Sequence, residues 1–280
     1  MQSQATARIC WSKLVFSLLF LVCLISTPVL GSSSAIKRSD SDRDIGAIGH
    51  RKIAHRREPD SYSLETEKRL GAQLASNFEQ STALLRDPET AAYVERLVHT
   101  VAQNSDTRFP ITVRIIDSEE VYAFTLPAGY QYITRGLLLR TANEGELASV
   151  LARGIAHTAL RSAMNAPTYI GHDSYVRDLA QKKKDKFERE EELNADYFGI
   201  QYLYKSGYDP GCFLTLVQTV WADNPAKGFS TFPPIPERLK ALQDEISDIL
   251  PKRDGAVTNT PEFGDFHEHL VKLKSPKPGK

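Results

Sequence analysis

The chain has 280 residues, and its 35 lysines and arginines are balanced by 35 aspartates and glutamates, so the formal net charge is zero. A chain of this length can bury a substantial hydrophobic core, and we expect one main domain with flanking segments. The charge balance gives no overall attraction to nucleic acid or to acidic lipid, and we predict no nucleic-acid partner.

The first 31 residues have the three-part pattern of a secretory signal peptide. Arg8 and Lys13 precede an almost wholly apolar run over residues 14–25, and a possible cleavage site before Ser32 follows. We therefore predict an exported protein, periplasmic or secreted. The alternative is a retained membrane anchor, although the apolar run, even when extended to Leu30, has about 17 residues and is at the low edge for spanning a bilayer. Contact with a membrane is expected only in that alternative.

Cleavage of the predicted signal peptide would remove Cys10 and Cys23 and leave Cys212 alone. A single cysteine cannot form an internal disulfide, so the stability of the domain must come from its core. No pattern around Cys212 indicates a lowered pKa, and we expect a small buried residue rather than a nucleophile.

Two polar segments flank the predicted domain. Residues 32–60 are rich in charge and poor in large apolar side chains, which predicts a linker or extended arm. Its histidines, His50 and His55, are expected in a solvated arm rather than in a metal or anion site. Residues 251–280 end in a Lys/Pro-rich stretch and are predicted to form a mobile C-terminal tail.

Helical periodicity dominates residues 61–250. Apolar residues recur at helical spacing in segments that begin near residues 64, 88, 144, 176, 211 and 237. Alternating and β-branched residues predict three short strands over 111–116, 122–126 and 130–133. We therefore predict an α+β fold that is mainly helical, with a small β-sheet next to the helix at 144. The second strand is expected to offer an edge for an extended peptide, formed by Tyr122, Ala123 and Phe124.

The helix that begins near residue 144 carries part of a zinc-binding pattern. A zinc peptidase needs three protein ligands, a bound water, and a carboxylate that takes the proton of that water. The common helical form is H-E-x-x-H, in which two histidines four residues apart lie on one helix face. Residues 153–157 read R-G-I-A-H, so the second histidine, His157, is present and the first two motif residues are not.

Motifs on both sides of this helix resemble, in the same order, those of one enzyme family. They are LPAGY at 126–130, TRGL at 134–137, NEGELA at 143–148, ELNAD at 192–196 and GYDP at 207–210. The chain resembles the CAAX-prenyl-endopeptidase/HtpX family of gluzincin metallopeptidases, and looks most like its soluble, exported bacterial branch. The resemblance covers residues 61–250 and implies a zincin-like metallopeptidase domain there.

The resemblance implies a role for five positions. His157 matches the second zinc ligand, and Glu192 matches the ligand that opens the E-x-x-x-D motif. Asp196 matches a carboxylate that orients a ligand histidine. Arg153 stands at the position of the first ligand histidine, and Gly154 stands at the position of the general base.

These differences argue against ordinary zinc chemistry. Arginine has no lone pair to give to a metal, the glycine at 154 cannot accept a proton, and two ligands are too few. Phe232 stands where some soluble members carry a histidine near the active site. We predict that no cofactor is bound, unless zinc is held by a ligand set rebuilt with His172, His267 or His269.

The arginine at the first ligand position suggests a specific hypothesis. The Arg153 guanidinium replaces the missing metal electrostatically by pairing with Glu192 and with Asp196, which are otherwise partly buried, uncompensated charges. The alternative is that Arg153 extends to the surface, as long basic side chains readily do.

The function that these residues favour is that of a catalytically impaired pseudopeptidase of the bacterial envelope. Such a protein would bind or scaffold exported proteins, holding a peptide in an edge-strand groove. One alternative is an active zinc metalloendopeptidase with a rebuilt ligand set. Another is a purely structural envelope protein whose groove is not used.

Overall fold

The computed structural model describes residues 39–53, 63–164, 168–170, 187–221 and 233–273. The helices are α1 (Asp40–Arg43), α2 (Leu64–Ser81), α3 (Pro88–Gln103), α4 (Arg135–Arg140), α5 (Glu144–Ala159), α6 (Phe187–Lys205), α7 (Gly211–Leu216), α8 (Ile235–Asp248) and α9 (Pro261–Lys272). The strands are β1 (Thr112–Ile116), β2 (Ala123–Leu126), β3 (Tyr130–Thr134) and β4 (Thr168–Ile170). The prediction of a mainly helical α+β fold with a small sheet is confirmed.

The four strands form one sheet in the order β1-β3-β2-β4. Strand β1 runs parallel to β3, whereas β2 is antiparallel to both β3 and β4. A short 3-10 turn over Pro127–Gly129 joins β2 to β3. Gly129 has a φ of 88°, and a side chain there would approach the Pro110 carbonyl oxygen to 2.5 Å, so both the backbone and the space require glycine.

The predicted peptide edge at Tyr122, Ala123 and Phe124 is wrong, because β2 is an interior strand. Its backbone pairs with β3 on one side and with β4 on the other. All three side chains are buried. The prediction failed because β4 follows α5 in the chain, in a segment for which the sequence analysis predicted no strand. The edges of the sheet in the described part of the chain are β1 and β4.

Helix α5 lies at the centre of the domain, in contact with α3, α6, α7 and β2. Nearly every residue along it is buried, including the charged Glu144, Glu146 and Arg153, so it is an interior helix and not a surface helix with one apolar face. Asn143 caps its first turn by accepting a hydrogen bond from the Glu146 amide at 2.9 Å. The Glu146 carboxylate accepts from the Ala142 amide at 2.8 Å, one residue before the cap.

The prediction of a linker over residues 32–60 is wrong for residues 39–53, which pack on the domain. Ile48 and Ile53 belong to the hydrophobic core. Arg51 is buried and pairs with Asp106 at 2.6 Å, and it also donates to the Gln201 side chain at 2.7 Å. An arginine that finds a buried partner so far along the chain has no local sequence signature. Other parts of the predicted linker, including its second histidine, lie outside the described residues.

The prediction of a mobile tail is wrong for residues 251–273, because α9 docks on the core. Phe263, Phe266 and Leu270 are buried at helical spacing along it, and Phe266 stacks on Tyr93 with ring centroids 4.2 Å apart. Thr260 caps the helix by accepting from the Phe263 amide. This cap and spacing were visible in the sequence. Residues 274–280 lie outside the described part of the chain.

Cys212 is a free, buried thiol, as predicted, and burial raises its pKa to about 11. The predicted signal peptide over residues 1–31 lies outside the described residues. Within the described ranges, no helix is both long enough and apolar enough to cross a bilayer.

Candidate functional site

Two adjacent helices bring together the polar residues of the predicted site. Arg153 and His157 are four residues apart on α5, and Glu192 and Asp196 are four apart on α6, so each pair lies on one helix face. All four side chains are buried. Gly199 on α6 permits the close approach of the helices, because a side chain there would lie 3.1 Å from the Arg153 Cα.

Arg153 points inward and pairs with both carboxylates of α6. Its Nε donates to Asp196 Oδ1 at 2.9 Å, and its Nη2 donates to Glu192 Oε2. The residue is only 1% exposed. The structure therefore has both of the contacts that the sequence-based hypothesis predicted, and it excludes the alternative in which Arg153 extends to the surface.

A second arginine completes the cluster. Arg238 on α8 donates two hydrogen bonds to the Asp196 carboxylate, from Nε at 2.7 Å and from Nη2 at 2.8 Å. Its guanidinium carbon lies 4.2 Å from the centre of the Trp221 ring, and that of Arg153 lies 5.3 Å from the same ring. The sequence analysis missed Arg238 and Trp221, because neither belongs to a motif.

The cluster balances its own charge. Two guanidiniums face two carboxylates, so no net charge has to be buried. Burial alone would raise the pKa of Asp196, but Arg238 and then Arg153 hold that pKa below its usual value. Burial, together with the neighbouring Arg238, lowers the pKa of Arg153 to about 10, and Asp196 opposes that fall. Arg153 therefore stays protonated at neutral pH.

His157 is held neutral beside this cluster. Its Nε2 lies 3.9 Å from Glu192 Oε2, beyond hydrogen-bonding distance. Burial, followed by the positive charges of Arg153 and Arg238, lowers the His157 pKa well below 6.5. Neither ring nitrogen has a hydrogen-bond partner among the described residues. His157 is thus a buried, neutral imidazole with both nitrogens unused there.

A small cavity lies next to His157. It has a volume of about 20 Å³, and its lining includes Arg153, Gly154, His157 and Gln131 of β3. The Nε2 of Gln131 also lacks a partner among the described residues. Gly154, at the predicted position of the general base, has no group that could accept a proton.

These residues do not fit a zinc ion. His157 and Glu192 are two donors where a zinc site needs three or four, and Glu192 is already bound by the Arg153 guanidinium. In the described part of the chain, no group of three His, Cys, Asp or Glu could hold a metal. The described histidines of the tail lie elsewhere: His269 pairs with Asp87 at 2.9 Å, and His267 contacts the Leu139 carbonyl oxygen at 3.2 Å. His172, the other candidate ligand, and Phe232, at the position of a family histidine, lie outside the described residues.

Comparison with known proteins adds the family context. The family model described as Peptidase family M48 matches residues 88–170 and 170–246. The chain is 24% identical over 221 residues to the beta-barrel assembly-enhancing protease of Yersinia pestis, an alignment that covers 68% of the chain and 46% of that protein. It is 25% identical over 230 residues to the mitochondrial metalloendopeptidase OMA1 of Schizosaccharomyces pombe, covering 72% of the chain and 67% of that protein. The chain spans about half the length of the bacterial relatives that it matches.

The buried ion pairs predict a large effect of removing Arg153. We expect Arg153→Met to lower the free energy of unfolding by about 3–5 kcal/mol, because Glu192 becomes a buried charge without its guanidinium partner. The measurement is urea unfolding followed by circular dichroism.

Arg189→Met is the matched control. Arg189 on α6 pairs with Glu237 on α8, and its side chain is 47% exposed. An exposed pair of this kind contributes about 0–1 kcal/mol. Equal losses in the two variants would contradict a structural role for the Arg153 pairs.

Proposed function

Because the chain belongs to peptidase family M48 and yet carries an arginine and a glycine at the first two positions of the H-E-x-x-H motif, we propose that it is an exported pseudopeptidase that works without zinc and binds other exported proteins. The observation that carries the proposal is the placement of Arg153, which is fully buried and hydrogen-bonded to both Glu192 and Asp196.

Within the family, we assign the chain to the CAAX-prenyl-endopeptidase/HtpX type, in its soluble exported bacterial branch. The support is the ordered set of motifs on either side of α5, together with the signal-peptide pattern over residues 1–31. Under this assignment, Glu192 and Asp196 are retained carboxylates of the family site. The Arg153 guanidinium then supplies positive charge at the position where a family member would carry a zinc ligand.

An active zinc endopeptidase is the second candidate, and the names of the matched relatives favour it, since they are a protease and a metalloendopeptidase. It would need a third ligand from outside the described residues, such as His172, and a proton acceptor other than Gly154. It would also have to displace Arg153 from Glu192. Gly154 supplies no proton acceptor, and displacing Arg153 would break a buried contact that the described residues define, so we favour the pseudopeptidase.

A groove beside the edge strand β1 is the proposed peptide site. It has a volume of about 1100 Å³ and lies between α3 and residues 107–114. Buried Val98, Phe109 and Val113 line its floor. The far end of β1 is already covered, because the Leu85 amide bonds to the Ile115 carbonyl oxygen at 2.8 Å. The groove therefore borders the first half of the strand.

The charges around this groove select its occupant. Its lining includes three exposed arginines and one exposed histidine, which are Arg96, Arg108, Arg114 and His99. The acidic residue in the lining is Glu95. Arg114 is partly engaged, since it lies 3.8 Å from Glu79 and donates to the Val113 carbonyl oxygen. An apolar floor with a basic rim fits an extended segment that alternates apolar and acidic side chains. We propose such a segment of an exported protein as the ligand.

If the protein works without zinc because Arg153 replaces a ligand histidine, restoring that histidine should restore zinc binding. After dialysis, the purified chain without residues 1–31 should hold no stoichiometric zinc by elemental analysis. Arg153→His should hold about one zinc per chain, because it would restore three ligands with His157 and Glu192. Arg153→His combined with His157→Ala is the control and should again hold none. About one zinc per chain in the unaltered protein would support the active-peptidase alternative instead.

The peptide site predicts charge-selective binding. A fluorescein-labelled decapeptide of alternating valine and glutamate should bind in fluorescence anisotropy, whereas its valine–lysine counterpart should not. Arg108→Glu should weaken binding about five- to tenfold at low salt, because it reverses one rim charge, and added salt should reduce this difference. Lys252→Glu, an exposed residue outside the groove lining, should change nothing. Equal binding of both peptides would contradict the assignment.

A further inference from the structure

The side chain of Gln131 lies against the bare backbone of Gly154. Gln131 is on β3, next to α5, and it is only 5% exposed. A Cβ atom built on Gly154 would lie 2.9 Å from the Gln131 Cδ and Oε1 and 3.0 Å from its Nε2. The whole carboxamide therefore stands where a side chain at position 154 would begin.

The carboxamide has little room to move away. The adjoining cavity of about 20 Å³ holds roughly one water molecule and is too small for a displaced amide. The Gln131 Nε2 and both His157 nitrogens face a shared lining and have no partner among the described residues. The rest of the lining is mainly apolar and includes Val113, Phe124 and Leu151, so a carboxamide displaced from Gly154 would meet few polar partners there.

We infer that the Gln131 carboxamide fills the space that the family's general-base side chain would need, so that residue 131 is a third determinant of the inactive site beside Arg153 and Gly154. This inference rests on the proposed function for the meaning of position 154. The contact itself is independent of that meaning. A neutral carboxamide is not a base, so Gln131 fills the position without supplying its chemistry.

The contact between Gln131 and Gly154 predicts whether Gly154→Ala stabilises or destabilises the protein. Replacing glycine by alanine inside a helix normally stabilises a protein, because alanine has the higher helix propensity. At position 154 the new methyl group would collide with Gln131, and overpacking of a filled site is destabilising. The effect of the same substitution should therefore reverse when Gln131 is shortened.

The test is a double-mutant cycle in thermal unfolding of the purified protein. Gly154→Ala should lower the Tm by about 3–6 °C, whereas Gly154→Ala in a Gln131→Ala background should raise it by about 2–4 °C. Gly264→Ala is the matched control, since Gly264 lies in α9 and a Cβ there would meet nothing within 4 Å. It should raise the Tm by about 2–4 °C in either background.

A rise in Tm for Gly154→Ala with Gln131 intact, equal to that of Gly264→Ala, would overturn the inference. So would an equal fall in both backgrounds. If Gly154→Ala fails to fold, recovery of folding by Gln131→Ala supports the contact and lack of recovery contradicts it. The zinc content of Arg153→His tests the proposed function, whereas the double-mutant cycle tests the contact between Gln131 and Gly154. Either experiment can succeed when the other fails, so the two failures are distinguishable.

Discussion

The domain is organised around a guanidinium buried between two carboxylates. Arg153 of α5 reaches Glu192 and Asp196 of α6, and Arg238 of α8 holds Asp196 from the other side. Charges buried this deeply are tolerated only when they are paired and hydrogen-bonded, since each one loses its water on folding. The pairing therefore constrains three helices at once, and the close packing of α5 on α6 at Gly199 fixes the distance over which it acts.

The same pairing compensates the buried carboxylates with charges that the protein itself supplies. A zinc ion would neutralise the carboxylates around it; here two arginines do so, and the total charge of the cluster is zero. The neutral His157 and the carboxamide of Gln131 line the small cavity beside the cluster. On the surface of the domain, the groove beside β1 offers an apolar floor and a basic rim. Under the proposed function, the charge balance of this cluster lets the family's fold remain stable without a bound metal.

Much of this arrangement was predictable from the sequence. Six of the nine helices in the described ranges were predicted from apolar spacing, whereas α1, α4 and α9 were not. The Arg153 pairs were predicted from the family resemblance, which assigns R-G-I-A-H and E-x-x-x-D to one site. Arg238 was not predictable, because its partner lies on another helix and no local pattern marks the contact. The edge strand was misassigned because β4 pairs with β2 from beyond α5, and such long-range pairing has no local signal. The role of Gln131 required coordinates, because it depends on the distance between a strand and a helix.

The most direct test of the central claim is a crystal structure of the protein grown with excess zinc, with an anomalous difference map collected at the zinc absorption edge. The account predicts continuous density for the Arg153 side chain between Glu192 and Asp196, and no anomalous peak within bonding distance of His157. A peak bonded to His157 and Glu192, with the Arg153 side chain displaced from both carboxylates, would contradict it.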